Sequence, residues 1–190
     1  MDIYHSDRLR YRAWDSLQDR DFYQSFHSDP TVFPNTWKGL PRPITKDKTN
    51  SIIKELEEAL LCLVICKKPQ LNSGQGTDTS EPERIGILVI KNIPSDLAHN
   101  RCGEFGIELK REAQGQGYGV EAIRWTINWA FQTANLHRIQ LEVYEWNKNA
   151  LKAYKRVGFQ EEGRLRKALW RDGRWWDEII MGILQEEWTG

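Results

Sequence analysis

Gln114-Gly115-Gln116-Gly117-Tyr118-Gly119 follows an apolar run (Phe105, Ile107, Leu109) and precedes an amphipathic one (Val120 to Phe131). The pattern predicts a strand, a glycine-rich turn and a helix. The first N–H groups of a helix have no partner inside it, so a helix start behind a bare loop attracts anions. A phosphate-bearing ligand is the first expectation for this stretch.

On the C-terminal side, Val120, Ile123, Ile127, Ala130 and Phe131 recur at helical spacing, and Trp125 and Trp129 widen the apolar face. Arg138 to Val143 alternates as a strand. Asn147 predicts a helix cap and Gly158 the end of that helix. Phe159 to Leu165 and Trp175 to Leu184 read as two strands around the turn Arg171-Asp172-Gly173.

On the N-terminal side, Gly103–Leu109 and Arg84–Ile90 read as antiparallel neighbours across the polar connection 91–102. Leu61–Cys66 is a further strand, and Thr45–Leu60 a helix with Ile52, Ile53, Leu56 and Leu60 on one face. Residues 31–44, with Pro34, Gly39, Pro41 and Pro43, read as an irregular loop of a length that is often functional. A helix capped at Trp14-Asp15 carries Leu17, Phe22 and Phe26 and stops at Ser28-Asp29-Pro30, after a strand over Arg8–Ala13. Residues 69–83, rich in Gly, Ser, Thr and Pro, read as a flexible surface loop. The expected order is β-α-α-β-β-β-α-β-α-β-β, a mixed α/β (α+β) sheet of about seven strands with helices on its faces.

Lys+Arg and Asp+Glu both number 27, so no net field favours nucleic acid. No apolar run approaches the ~20 residues of a membrane span. The N-terminus has no apolar signal core, and three cysteines fit a reducing compartment, so the expectation is a cytoplasmic protein without nucleic-acid or membrane partners. Cys62 and Cys66 read as buried thiols, and His5, His27, His99 and His137 do not pair at ligand spacing, so no metal site is expected. Nine tryptophans are an unusual number, and they supply either core or the wall of a pocket.

Spacing tests the phosphate expectation. A dinucleotide fingerprint starting at Gly115 needs glycine where Val120 stands, and Gly119-Val120-Glu121 lacks the lysine and hydroxyl of a P-loop. A third pattern, Q/R-x-x-G-x-G/A, is met by Gln114, Gly117 and Gly119. It is followed by Asn147-x-x-Ala150-x-x-x-Tyr154-x-x-x-Gly158-Phe159. On these two motifs the chain resembles the GNAT superfamily of acyl-CoA-dependent N-acetyltransferases. Its opening (DRLRYRAW…SDPTVF) and ending (EEGRLRKALWRDGRWWDEIIMGILQEEW) are similar to the branch with ribosomal-protein N-terminal acetyltransferases and spermidine acetyltransferases.

The resemblance implies one domain over 7–188, with a mostly antiparallel, splayed sheet and acetyl-CoA as co-substrate. The backbone of Gln114, Gly115, Gln116, Gly117, Tyr118, Gly119 and Val120 would hold its pyrophosphate. Lys110, Arg111 and Arg124 could add charge there or lie on a solvated surface. The pantetheine arm would pair around Ile107 and Leu109, with a backbone N–H near Glu108 or Leu109 polarising the acetyl carbonyl. Asn147 and Asn149 would touch the same arm. Tyr154 takes the family position of the acid that protonates the leaving thiolate and is preferred in that role over a merely packed helix residue. For the base, Glu104, Glu108 and Glu142 are open, with Glu104 preferred. The acceptor is a primary amine of a small molecule or protein N-terminus, walled by some of Trp14, Phe33, Trp37, Trp146, Trp170, Trp175 and Trp176. The chain is expected to act as a monomer or homodimer. A non-catalytic CoA-binding module and an RNA-binding domain are the competing readings.

Overall fold

The computed structural model describes residues 3–40, 42–69 and 82–190. Most of the stretch read as a flexible loop, 69–83, therefore lies outside the described residues. The elements are β1 (Leu9–Ala13), α1 (Arg20–Ser28), α2 (Phe33–Thr36), α3 (Lys46–Glu57), β2 (Leu61–Lys67), β3 (Arg84–Ile90) and β4 (Cys102–Leu109). They continue with α4 (Tyr118–Gln132), β5 (Arg138–Tyr144), α5 (Lys148–Val157), β6 (Gln160–Arg171) and β7 (Arg174–Leu184). One sheet has the order β1-β2-β3-β4-β5-β7-β6, and only β4 and β5 run parallel.

Strand alternation splits the core into two layers, because successive side chains leave a strand on opposite faces. On one face Phe105, Ile139, Leu141, Ile179, Met181 and Ile183 pack against Ile123, Ile127 and Phe131 of α4 and Tyr154 and Val157 of α5. Each such buried aliphatic side chain contributes about 1.5–3 kcal/mol relative to exposure. On the other face Val64, Cys66 and Ile87 meet Phe22, Tyr23 and Phe26 of α1. The Cys62 and Cys66 thiols sit among these groups, as expected, and burial pushes Cys62 up to about 12.

Three boundaries differ from the sequence reading. The first helix begins at Arg20, not at Trp14-Asp15, because Asp15 Oδ1 accepts the Leu17 and Gln18 N–H groups and turns the chain. Asp19 is then fully buried, with Arg12 bidentate on its carboxylate at 2.7 and 2.8 Å and Arg84 at 3.1 Å. Residues 31–44 contain the short helix α2, with Pro34 in its first turn, where a missing N–H costs nothing. β6 runs on to Arg171 through irregularities at Glu161/Gly163 and Leu165/Leu169, which carry it past the polar Arg166-Lys167.

Candidate active site

The site begins where the sheet comes apart. β4 and β5 pair only through Cys102–Glu104 and Arg138–Gln140. Beyond Gln140, β5 pairs only with β7, and beyond Glu104, β4 pairs only with β3. The bonds Lys110 N–H to Ile85 O and Lys91 N–H to Glu104 O fix which residues face β3. In an antiparallel ladder this alternates, so Glu104, Gly106 and Glu108 bond to β3 while Ile107 and Leu109 aim their backbone groups into the gap. Of the two N–H groups expected to polarise a carbonyl, the one of Leu109 is therefore free and the one of Glu108 is used by the sheet. Across the gap, Glu142 and Tyr144 present their backbone, because Leu141 and Val143 bond to β7.

The glycine loop follows Leu109, at the open end of the gap. Gly115 and Gly117 have φ of 73° and 85°, in the left-handed region that favours glycine. Gly119 has no such requirement; it is the second residue of α4, in ordinary contact range of Leu109. Among the described residues, the backbone N–H groups of Gly115, Gln116, Gly117, Tyr118, Gly119 and Val120 have no hydrogen-bond acceptor. Such a row at the start of a fifteen-residue helix fits a pyrophosphate. Gln114 does not point outward: its Nε2 donates to Leu109 O at 3.0 Å and fixes where the loop leaves the strand.

The charge near this loop is not where the sequence suggested. Arg124 donates to the carbonyls of Arg156 and Gly190 and covers Trp188. Lys110 lies over the Phe22 ring, on the α1 side, and with Arg111 lines a cavity of about 380 Å³ that none of Glu108, Tyr144 and Tyr154 reaches. Arg8, just before β1, reaches the loop instead. It donates to Gln116 O at 3.0 Å and to Glu121 Oε2 at 2.8 Å, and lies 4.5 Å above the Tyr118 ring. Glu121 also accepts from Ser6 Oγ and the Arg8 N–H. Burial alone would raise the Glu121 carboxyl, but these donors hold it below its ordinary value. A contact across 113 residues has no local signal, so sequence reading missed Arg8.

α5 carries the second motif. Asn147 caps it by accepting the Ala150 N–H at 3.2 Å, and Gly158 ends it with φ of 119°. Asn149 is exposed in the first turn. Tyr154 belongs to the core layer that α4 and α5 form with the sheet, its ring tilted against Phe159 at 5.7 Å. Its hydroxyl makes no hydrogen bond among the described residues, and burial of the ring raises its pKa above the ordinary value for a phenol. It is a protonated donor at every physiological pH.

The carboxylates lie on the opposite face. Glu104 is at the closed end of the gap, held by the Lys91 ammonium. Glu142 is bound by Lys38. Glu108 is different: the residue is half-buried, its Oε2 is sealed from solvent with no partner among the described residues, and burial pushes its pKa up to about 7. Of the three candidate bases, Glu108 alone combines an unpaired oxygen with a pKa near neutrality.

The expected aromatic wall divides. Trp146 packs on Tyr144 at 4.7 Å and on Trp176 at 5.7 Å, beside the open end of β5. Trp14 stands edge-on to Tyr23, and Phe33 stacks on Trp37. Trp170 and Trp175 pair at the outer hairpin and stay 61% and 55% exposed, so they form no buried wall. Among the described residues, no helix is long and apolar enough to cross a membrane, and no group of three or more His, Cys, Asp and Glu could hold a metal.

The sequence and the fold match known proteins. The model of the acetyltransferase (GNAT) domain family matches residues 8–160. The uncharacterized N-acetyltransferase YnaD of Bacillus subtilis (strain 168) is 33% identical over 86 residues, covering 45% of this chain and 51% of that protein. The [ribosomal protein uS5]-alanine N-acetyltransferase of Escherichia coli (strain K12) is 30% identical over 112 residues, covering 59% and 57%. The chain thus spans about half the length of these curated relatives. The crystal structure of spermidine N-acetyltransferase from Vibrio cholerae, in complex with CoA and spermine, superposes with a TM-score of 0.77 at 24% identity, covering 97% of this chain and 100% of that one. That likeness establishes the fold: a seven-stranded, mostly antiparallel open sheet flanked by helices.

Proposed function

The chain belongs to the GNAT acetyltransferase family, and from that premise we propose that it transfers the acetyl group of acetyl-CoA to a primary amine. The observation that carries this is the wedge between β4 and β5. It runs from the unpartnered N–H row of the glycine loop, past the backbone of Ile107 and the N–H of Leu109, to the Glu108 carboxylate with its sealed Oε2.

Acetyl-CoA supplies an activated thioester and a pyrophosphate. In this reading the N–H groups of Gly115 to Val120 bind the pyrophosphate, with Arg8 beside them. Ile107 and Leu109 pair with the pantetheine arm, and Asn147 borders it while holding α5 in place. The Leu109 N–H faces the acetyl oxygen and stabilises the charge that develops on it; one such donor is worth about 3 kcal/mol in other enzymes.

Glu108 takes the proton from the acceptor ammonium, leaving the nitrogen lone pair to attack. As the new C–N bond forms and the C–S bond breaks, the Tyr154 hydroxyl delivers a proton to the departing sulfur, and the second proton that the nitrogen sheds on becoming an amide reprotonates the phenolate. Glu108 thus replaces Glu104 as the preferred base, because Lys91 already holds Glu104. The catalytic unit spans 7–188. Free thiols at Cys62, Cys66 and Cys102 suit a reducing, cytoplasmic setting.

The relatives are named for different acceptors, a ribosomal protein alanine and spermidine, and both are primary amines. A thiol-release assay with acetyl-CoA across amines and peptide N-termini tests the proposal. Amine-dependent CoA release supports it. Tight acetyl-CoA binding with no release on the whole panel favours a non-catalytic CoA-binding module instead.

A further inference from the structure

Lys38 lies in the connection between α2 and α3, outside both sequence motifs. Its ammonium reaches across to the sheet and donates to Glu142 Oε2 at 2.8 Å and Glu178 Oε1 at 3.0 Å. Tyr144 pairs with Glu178 across β5 and β7, and Glu142 is two residues before Tyr144, so both carboxylates stand on the face that carries Glu108. The Tyr144 phenol lies within electrostatic reach of Lys38, Glu178, Glu142 and Glu108 alike. The Lys38–carboxylate cluster and the proposed base thus share one side of the gap.

Glu178 is 5% exposed, and a charge buried to that degree requires a partner. Lys38 is the cation that supplies it. The contacts with Glu142, then Glu178, raise the Lys38 pKa, and Lys38 in turn holds Glu142 below its ordinary value. The segment carrying Lys38 is fastened on its N-terminal side, where Arg171 Nη1 donates to Pro34 O at 2.6 Å. A tethered ammonium of this kind competes at an effective concentration on the order of millimolar or higher. A free cation must outbid it to reach the same carboxylates.

We propose that Lys38 is a specificity-determining residue. Its ammonium fills the place beside the acceptor site where a second cationic nitrogen would be held, and so restricts the enzyme to acceptors with a single positive charge. The inference rests on the proposed acetyl transfer and narrows its substrate class to monocationic amines. The tail of such an amine lies against Tyr144 and Trp146 rather than reaching a carboxylate. A diamine brings a second charge that finds both carboxylates already paired and Lys38 facing it.

The test compares n-pentylamine with cadaverine, which have the same chain length and differ by one ammonium. Wild-type enzyme is expected to show higher kcat/KM with n-pentylamine. In Lys38→Met the ratio of cadaverine to n-pentylamine rises by at least about tenfold. Lys38→Arg keeps the wild-type ratio, and Lys38→Met with Glu178→Gln loses the gain. Calorimetric binding of both amines to the CoA-loaded protein gives the ratio without turnover, so it separates failure of this inference from failure of the acetyl-transfer proposal. A wild-type preference for cadaverine overturns the inference even if Lys38→Met does not fold, and so does a ratio unchanged in Lys38→Met.

Discussion

Replacing Glu108 with Gln should damage catalysis and strengthen the fold at the same time, with both effects governed by one pKa. The carboxyl Oε2 is sealed with no partner among the described residues, and the pKa is pushed from 4.5 up to about 7. A folded-state value above the unfolded one means that ionisation opposes folding. The penalty is absent below about pH 4.5, grows between there and pH 7, and is complete above pH 7. A rise of about 2.5 units corresponds to about 3 kcal/mol. Glu108→Gln keeps the shape and removes the charge, so its gain in stability approaches that figure above pH 7 and vanishes at pH 4.5. Urea unfolding of both proteins at several pH values measures it. Catalysis moves the other way: a lost base costs about 10²–10⁴ in rate. The acceptor's own ionisation is common to both proteins and cancels in the ratio of wild-type to variant kcat/KM. That ratio should rise about tenfold per pH unit below 7 and level off above it. A flat ratio, or a variant that is less stable than wild type at pH 8, refutes the reasoning.

Tyr154→Phe should lower turnover by at least about tenfold, measured by thiol release, while KM for acetyl-CoA stays within about threefold. Because the hydroxyl makes no hydrogen bond among the described residues, the same variant should unfold within about 0.5 kcal/mol of wild type. Gly117→Ala forces a side chain into φ of 85° and sets its Cβ 3.2 Å from Arg8 Nη2, so it should cost about 1–2 kcal/mol and weaken acetyl-CoA binding in calorimetry. Asp19→Ala removes the acceptor of Arg12 and Arg84, whose side chains are each more than a third exposed and regain water, and should cost about 1.5–3 kcal/mol in a denaturant titration. Burial alone would raise the Asp19 carboxyl, but Arg12, the Asp15 amide and Arg84 outweigh it and hold the pKa below 3.8. The stability Asp19 provides is therefore full above about pH 4 and lost as pH falls through the depressed value, which melting curves between pH 2 and pH 5 will show.

Much of this arrangement was legible in the chain because it is local. The glycines at 115 and 117, the Asn147 cap and the Gly158 terminator are each dictated by neighbours a few residues away. The alternation of β4 and β5 likewise shows which residues can share a face. What stayed hidden was long-range or depended on burial. Arg8 and Lys38 are ordinary surface cations in the sequence, and only the fold brings them to Gln116 and to Glu142 and Glu178. Glu104 and Glu108 have the same period, and nothing in their spacing reveals that Lys91 holds one while the other is sealed. The first helix was drawn too long because Asp15 resembles a helix cap, whereas its side chain closes a turn that delivers Asp19 to Arg12.

The central claim is that the protein moves an acetyl group from sulfur to nitrogen. Acetyl-CoA labelled with carbon-13 in its acetyl group, incubated with the protein and n-pentylamine, tests it by mass spectrometry. The account predicts labelled N-acetylpentylamine in equal amount to the free CoA released, and neither product above background in the double variant Glu108→Gln, Tyr154→Phe. Acetyl-CoA that binds yet leaves its label on sulfur, with this amine and with every other primary amine tried, contradicts it.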